Sequence, residues 1–204
     1  MSQNKPMNRW LVVIGAITIQ LCLGSIYAWS VYTPALIEAG WSKLDTQFVF
    51  AAGLISFAIT MVFAGRKLNS WGPRVLAIAG GLALCAGYIL AGLSGGTAFW
   101  PVLLGVGVIG GIGIGLGYVA PIAVGMNWFP DHKGMITGLA VAGFGFGAMA
   151  WVKLAGAWGN LIATVGLAQT FIVYGIAFAA LVLIGSLWMK MPPHGWRPAG
   201  YRQP

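Results

Sequence analysis

Apolar residues run in six long stretches along this chain, and nearly all of the charge lies in the short gaps between them. The stretches cover approximately residues 10–34, 48–64, 75–93, 100–127, 134–157 and 170–189. None of them alternates apolar and polar residues with a period of two, as the strands of a membrane barrel do. A bilayer core needs ~20 apolar residues for one crossing helix, and a helix satisfies its own backbone hydrogen bonds there. The pattern predicts an all-α integral membrane protein with six transmembrane helices.

The composition excludes a water-soluble domain. Only 7% of the residues are charged and 59% are hydrophobic, whereas a typical soluble domain has ~25% charged residues. Residues 1–189 are predicted to form one six-helix transmembrane bundle surrounded by lipid. Residues 190–204 are predicted to form a polar cytoplasmic tail.

Basic residues are distributed unequally between the two sides of the predicted bundle. Nine of the eleven fall on the side that also carries both termini: Lys5, Arg9, Arg66, Lys67, Arg74, Lys133, Lys190, Arg197 and Arg202. Only Lys43 and Lys153 fall on the other side. Because cytoplasmic loops are enriched in Lys and Arg, both termini are predicted to be cytoplasmic and the protein to lie in the cytoplasmic (inner) membrane. The net charge of +8 reflects this asymmetry, so no nucleic-acid partner is expected.

Glycine is abundant, with 32 residues in the chain, and its spacing predicts helix packing. The fourth stretch has Gly107, Gly111 and Gly115 at four-residue intervals. The fifth stretch repeats the spacing twice, with Gly134 and Gly138 and then with Gly143 and Gly147. Small residues four apart form a bare strip on which another helix can pack closely.

Residues suited to catalysis are absent from the apolar stretches. The two histidines, His132 and His194, lie outside them, and the three acids, Glu38, Asp45 and Asp131, lie in the gaps. The chain has no phosphate-binding loop, no zinc-ligand spacing and no paired carboxylates. We therefore expect no catalytic residues, no metal and no cofactor, and we expect that the chain is not an enzyme.

Two predicted helical faces combine glycine with a polar side chain near the membrane interior. These faces are Gln20, Gly24 and Tyr27 in the first stretch, and Gly111, Gly115 and Tyr118 in the fourth. If the glycines leave space beside the tyrosines, a polar cavity results in which the Tyr27 and Tyr118 hydroxyls, with Gln20, bind a small oxyanion. The alternatives are a hydrogen bond between helices and a tyrosine that reaches for the membrane interface.

The gap between the second and third stretches reads Gly65-Arg66-Lys67-Leu68-Asn69-Ser70-Trp71-Gly72-Pro73-Arg74. It resembles the cytoplasmic signature of the major facilitator superfamily, Gly-x-x-x-Asp-x-x-Gly-x-Arg. Gly65, Gly72 and Arg74 match, whereas Asn69 occupies the usual Asp position. The resemblance implies a conformational role for this motif, since the family's acid pairs with cytoplasmic helix ends. An amide can still form hydrogen bonds, but without the strengthening that a charge brings.

Three further stretches, residues 24–31, 127–134 and 192–198, resemble the oxalate/formate antiporter and monocarboxylate carrier branch of that family. The resemblance covers the N-terminal six spans of a twelve-span family. It implies two inverted three-helix repeats, with the first and fourth spans along the central path. It also implies alternating-access transport of small organic anions such as oxalate, formate or lactate.

No basic residue lies deep within a stretch, since Lys153 falls near the outer end of the fifth. In this branch the basic residues that bind the substrate carboxylate come from the C-terminal six-helix half. We therefore expect that half as a partner, together with the anion and the lipid bilayer. Two other classes of function remain open, an oligomeric channel for small solutes and a membrane-embedded enzyme or cofactor subunit.

Overall fold

The structure, a computed structural model, describes residues 7–193 and 195–198. Within these residues, six helices are long and apolar enough to cross a membrane: α1 (Arg9–Val31), α2 (Lys43–Trp71), α3 (Pro73–Leu93), α4 (Phe99–Trp128), α5 (Lys133–Ala155) and α6 (Leu161–Ser186). A short helix, Thr33–Glu38, follows α1. The described part of the chain contains no strand, so the prediction of an all-α fold with six transmembrane helices is confirmed. Lys5, His194 and Arg202 lie outside the described residues.

Helix α2 is longer at both ends than its apolar stretch predicts. It begins in polar sequence because Ser42 and Asp45 cap it reciprocally. The Ser42 backbone N–H donates to the Asp45 carboxylate at 2.9 Å, and the Asp45 N–H donates to the Ser42 hydroxyl at 3.1 Å. The two bonds satisfy backbone donors that the first turn of a helix leaves free. The apolar stretch therefore predicts only the middle of this helix, because its two ends are polar.

At its other end, α2 includes most of the gap between the second and third apolar stretches. Residues 65–71 are helical, and only Gly72 separates α2 from α3. Gly72 has a φ of 81°, a conformation that favours glycine and ends many helices. Pro73 then begins α3, where its missing N–H costs no hydrogen bond. The connection between the two helices is therefore a tight turn.

Helix α6 begins at Leu161, earlier than the predicted residue 170. Its early part is interrupted at Gly166, where φ is 81° and ψ is 171°. Two other helices change their winding. The last eight residues of α1, Gly24–Val31, form a 3₁₀ helix, and Leu103–Ile109 of α4 form a π-helix.

Helix α4 lies at the centre of the bundle, against α1, α2 and α3. Helix α1 in turn packs against α4, α5 and α6, and α3 packs against α6. This pattern of neighbours is unchanged when α1 is exchanged with α4, α2 with α5 and α3 with α6. Such an exchange is the relation expected of two three-helix repeats.

Glycines on α4 allow its backbone to approach α2. A Cβ atom on Gly111 would lie 2.5 Å from the Gly53 carbonyl oxygen, and one on Gly107 would lie 3.1 Å from the Val49 carbonyl oxygen. On α5, Gly147 contacts the Leu21 backbone so closely that no Cβ fits. A Cβ on Gly143 would make ordinary contacts of 3.5 Å or more with α1.

Contrary to the prediction, Gly134 and Gly138 pack against no other helix among the described residues. A Cβ atom on either residue would have nothing within 4 Å, because this part of α5 turns that face away from the bundle. A four-residue spacing of glycines thus indicates a smooth helix face, but it does not determine whether another helix covers that face.

The two ends of the bundle differ in charge. At one end, Arg9 pairs with Asp131, Arg74 donates to the Leu187 carbonyl, and Trp128 donates to the Lys190 carbonyl. We call this the basic end. At the opposite end, the Trp41 indole N–H donates to the Thr97 carbonyl at 2.6 Å. The described basic residues divide between the ends as the sequence predicts, with Lys43 and Lys153 at the opposite end.

We predict that Gly115→Ala destabilises the bundle and that Gly138→Ala does not. A Cβ on Gly115 would lie 2.7 Å from both the Phe57 carbonyl oxygen and the Thr60 Cβ, so α2 and α4 must separate. Overpacking of this kind costs about 1–3 kcal/mol. The thermal midpoint of the purified chain in detergent measures the effect. Equal midpoints for the two variants would contradict close packing at Gly115.

Candidate functional site

Two of the three sequence-predicted polar residues converge on one aromatic side chain. The Tyr27 ring, on the 3₁₀ segment of α1, has its centroid 5.6 Å from that of Phe144 on α5. The Tyr118 ring, on α4, lies 5.2 Å from the same Phe144 ring. Both contacts have edge-to-face geometry, which aromatic pairs favour. The two tyrosines, which are distant in sequence, thus belong to one surface.

The surrounding aromatic residues come from α2. Phe57 lies 5.4 Å from Tyr118, and Phe50 lies 6.3 Å from Tyr27, between ring centroids. Sequence reasoning missed Phe50, Phe57 and Phe144, because a phenylalanine within an apolar stretch has no polarity that distinguishes it from a lipid-facing residue. The two tyrosines and three phenylalanines therefore form one aromatic cluster.

Gln20 lies beneath this surface and is completely buried. Its side-chain N–H donates to the Tyr118 carbonyl oxygen at 3.5 Å, and its Oε1 has no hydrogen-bond partner. This contact joins α1 to α4 at the level of the tyrosines. It is a hydrogen bond between helices, one of the alternatives to ligand binding, so Gln20 is better placed to position Tyr118 than to contact a ligand.

The glycine spacing predicts a cavity beside the tyrosines, but these glycines are in close contact with other helices. A Cβ on Gly24 would collide with the Phe144 backbone, and Gly111 and Gly115 contact α2. The glycines therefore admit a neighbouring helix and leave no space for a ligand. Tyr27 is 47% exposed, so its ring opens on the surface of the six-helix unit.

The shared face of Gln20 and Tyr27 also differs from the prediction. That prediction assumes an α-helix throughout, at 100° per residue. From Gly24 onward the winding is 3₁₀, at about 120° per residue. Tyr27 is therefore turned by about 60° from its α-helical position, and it is exposed whereas Gln20, about two turns earlier in α1, is buried.

The signature residues between α2 and α3 lie at the basic end. Gly65 is within α2 with open space around it, and Asn69 is exposed in the last turns of that helix. Gly72 makes the turn. Arg74 donates from Nη2 to the Leu187 carbonyl at 3.4 Å, which brings a positive charge to the C-terminus of α6, where the helix dipole favours it.

A second polar cluster at the basic end joins α1 to the loop between α4 and α5. Arg9 Nη1 donates to both carboxylate oxygens of Asp131, at 3.1 and 3.0 Å. The Arg9 guanidinium also lies 4.5 Å from the Phe129 ring centroid, and His132 Nδ1 lies 2.9 Å from Asp131. Burial raises the pKa of Asp131, but the hydrogen bonds from Arg9 and His132 outweigh it and hold the pKa below its usual value.

A family model described as Major Facilitator Superfamily matches residues 13–203 of this chain. An uncharacterized MFS-type transporter of Escherichia coli, YhjX, is 32% identical over 195 residues, which cover 93% of this chain and 46% of YhjX. The oxalate:formate antiporter of Oxalobacter formigenes is 24% identical, over 91% of this chain and 43% of its own. Human monocarboxylate transporter 14 is 25% identical, over 90% of this chain and 36% of its own. The chain spans less than half the length of each of these relatives.

We predict that the Arg9–Asp131 pair stabilises the bundle only while Asp131 is ionised. Because its pKa is lowered in the folded protein, the contribution is present at pH 7, above the unfolded carboxyl pKa of ~3.9. It is lost as the pH falls through the lowered folded value. Asp131→Asn should therefore lower the thermal midpoint at pH 7 and have no effect once the wild-type carboxyl is protonated.

For a partly exposed pair the expected size is at most about 1 kcal/mol. Arg9→Gln should remove the same contribution, so the double variant should be no less stable than either single variant. Additive losses from the two substitutions would show that the side chains act independently.

Proposed function

The chain belongs to the major facilitator superfamily, and on that basis we propose that it forms the N-terminal six-helix half of a secondary transporter for small organic anions. Oxalate, formate, lactate and similar monocarboxylates are the proposed substrates. Two relatives support this class, since one is an oxalate:formate antiporter and another a monocarboxylate transporter. The proposed mechanism is alternating access, in which two halves rock about a site between them.

The observation that carries the proposal is the convergence of Tyr27 and Tyr118 on Phe144. The two tyrosines come from α1 and α4, the corresponding helices of the two triplets. A tyrosine hydroxyl donates a hydrogen bond to a carboxylate without bringing a charge into the membrane. We propose that Tyr27 and Tyr118 contact the substrate and that Gln20 positions Tyr118 from behind.

The proposal requires a partner for the exposed tyrosine surface. Tyr27 is 47% exposed on a span that crosses a lipid bilayer, where a polar side chain is favoured only against protein or water. We propose that the C-terminal six-helix half of the carrier covers this surface. The described spans hold no basic residue beside the tyrosines, so the partner half would also supply the positive charge for the carboxylate.

The proposed orientation follows from the charge of the two ends. Seven described basic residues lie at the basic end: Arg9, Arg66, Lys67, Arg74, Lys133, Lys190 and Arg197. By the excess of Lys and Arg in cytoplasmic loops, we propose that this end faces the cytoplasm and that the membrane is the inner one. The segment that carries Gly65, Asn69, Gly72 and Arg74, at the end of α2 and the start of α3, would then contact the partner half during the transport cycle.

Reconstitution tests the half-carrier proposal. Proteoliposomes are prepared with this chain alone and with this chain plus the C-terminal half of the Escherichia coli relative, and uptake of radiolabelled oxalate, formate and lactate is measured. Saturable uptake is expected only with both halves. Saturable uptake by the chain alone would contradict the proposal, and passive, non-saturating flux would favour the oligomeric channel.

We predict that Tyr118→Phe weakens substrate affinity in the two-half carrier and leaves the amount of protein in the membrane unchanged. Loss of one hydrogen bond to a charged group costs about 1.5 kcal/mol or more, which corresponds to about a tenfold higher KM. The matched control is Tyr88→Phe on α3. The Tyr88 ring contacts Phe171 and Phe178 and lies away from Phe144. Unchanged kinetics for Tyr118→Phe would remove this hydroxyl from the substrate site.

A further inference from the structure

A polar cleft lies between α1 and the first turns of α2, on the side of Tyr27 away from the basic end. It is lined by Tyr27, Trp29, Ser30, Thr33, Gln47 and Phe50. Its volume is about 170 Å³, whereas a cavity that holds one water molecule needs only ~10–15 Å³. Three hydroxyl groups and one amide thus meet in a space large enough for a small organic molecule.

The 3₁₀ winding of α1 accounts for the polarity of the cleft. With three residues per turn, side chains three apart stand directly above one another. Tyr27 and Ser30 have this spacing within the Gly24–Val31 segment, and Thr33 continues it just beyond. In an α-helix each of them would be turned by about 60° from the one before. The 3₁₀ segment gathers three hydroxyl groups into one column that faces α2.

The wall of the cleft is held by a buried hydrogen bond. The Trp29 indole N–H donates to the Thr46 carbonyl oxygen at 2.9 Å, and Trp29 is only 5% exposed. The Thr46 hydroxyl in turn donates to the Lys43 carbonyl oxygen at 2.8 Å. These two bonds join the 3₁₀ segment to the start of α2 and keep the hydroxyl column opposite Gln47.

The charge near the cleft favours an anion. Lys43 is one helical turn before Gln47, so the two residues lie about 40° apart around α2. Asp45 lies about 160° from Gln47, and its carboxylate is engaged with Ser42. Glu38 lines a different cleft, which faces α5 and α6. Lys43 therefore lies on the same side of α2 as Gln47, one turn nearer the start of the helix, and the two nearest acids are directed elsewhere.

We infer that this cleft is an outer subsite for small carboxylates, at which an anion binds before or after it occupies the central tyrosine surface. Ser30, Thr33 and Gln47 donate hydrogen bonds to the carboxylate, Lys43 attracts it, and Tyr27 is shared with the central surface. The inference depends on the proposed function only for the class of ligand. All of the residues concerned belong to this chain, so the subsite requires no second half.

Equilibrium binding to the purified 204-residue chain in nanodiscs tests the subsite. Radiolabelled oxalate and acetate are the probes, and acetamide, an uncharged molecule of the same shape as acetate, is the competitor control. The wild-type chain is expected to bind both anions saturably. Acetamide is not expected to displace bound acetate. Ser30→Ala and Gln47→Leu are each expected to weaken binding about tenfold, the loss of one hydrogen bond to a charged group.

Lys43→Gln is expected to weaken binding about threefold at low ionic strength. The difference should disappear at ~1 M salt, where the Debye length falls to ~3 Å. Matched controls are Lys153→Gln, the other basic residue at this end, and Thr164→Val, an exposed threonine whose hydroxyl bonds only to its own helix. Both controls should bind like the wild type. Size-exclusion profiles and circular dichroism spectra should be the same for all these variants, since Ser30, Lys43, Gln47 and Thr164 are exposed and Lys153 is half-buried.

Two results would overturn the inference. One is wild-type affinity in Ser30→Ala and Gln47→Leu together with loss of binding in Tyr118→Phe, which would assign binding to the central surface alone. The other is the absence of saturable binding to the wild-type chain. Either result leaves the half-carrier proposal standing if the two halves together still take up anion. Conversely, binding at the cleft without uptake by the two halves would reject the half-carrier and retain the subsite.

Discussion

Close approach of helix backbones at glycine is the interaction on which the rest of this structure depends. In a bilayer, lipid tails are as apolar as the side chains, so association of helices relies on packing and hydrogen bonds. Helix α4 makes such contacts on two sides. A Cβ on Gly113 would lie 2.5 Å from the Leu84 backbone nitrogen of α3, and one on Gly115 would lie 2.7 Å from the Phe57 carbonyl of α2. These contacts hold α4 in one register and with it the position of Tyr118.

The winding of α1 has a comparable effect towards the end of the bundle opposite the basic end. A run of eight 3₁₀ residues is unusually long, because that geometry makes poorer hydrogen bonds than an α-helix. Here it is supported by the contact of Gly24 with α5 and by the hydrogen bond from Trp29 to α2. One segment thereby presents Tyr27 to two neighbouring surfaces, the central tyrosines and the polar cleft beside α2.

The polar groups of this bundle are divided by depth. The ring surface around Phe144 offers hydroxyl groups without charge, whereas ion pairs and basic side chains lie at the helix ends. Burial of an unpaired charge in hydrocarbon is costly, so six helices that fold together are most stable with neutral donors inside. Positive charges among the described residues therefore lie at or near the helix ends, as those of Lys43 and Lys153 do.

The sequence by itself determined the number of crossing helices, the all-α class, the unequal charge of the two ends and the family, since each follows from local composition or short motifs. Periodicity also selected Tyr27 and Tyr118 as candidate residues. Only the tertiary structure decided that Gly24 and Gly115 admit neighbouring helices and leave no cavity, that Gly138 faces outward, and that Phe144 joins the tyrosines. The reason is physical. Hydrophobicity records whether a residue avoids water, but lipid and protein are equally apolar surroundings, so which of them a side chain meets depends on how the helices pack.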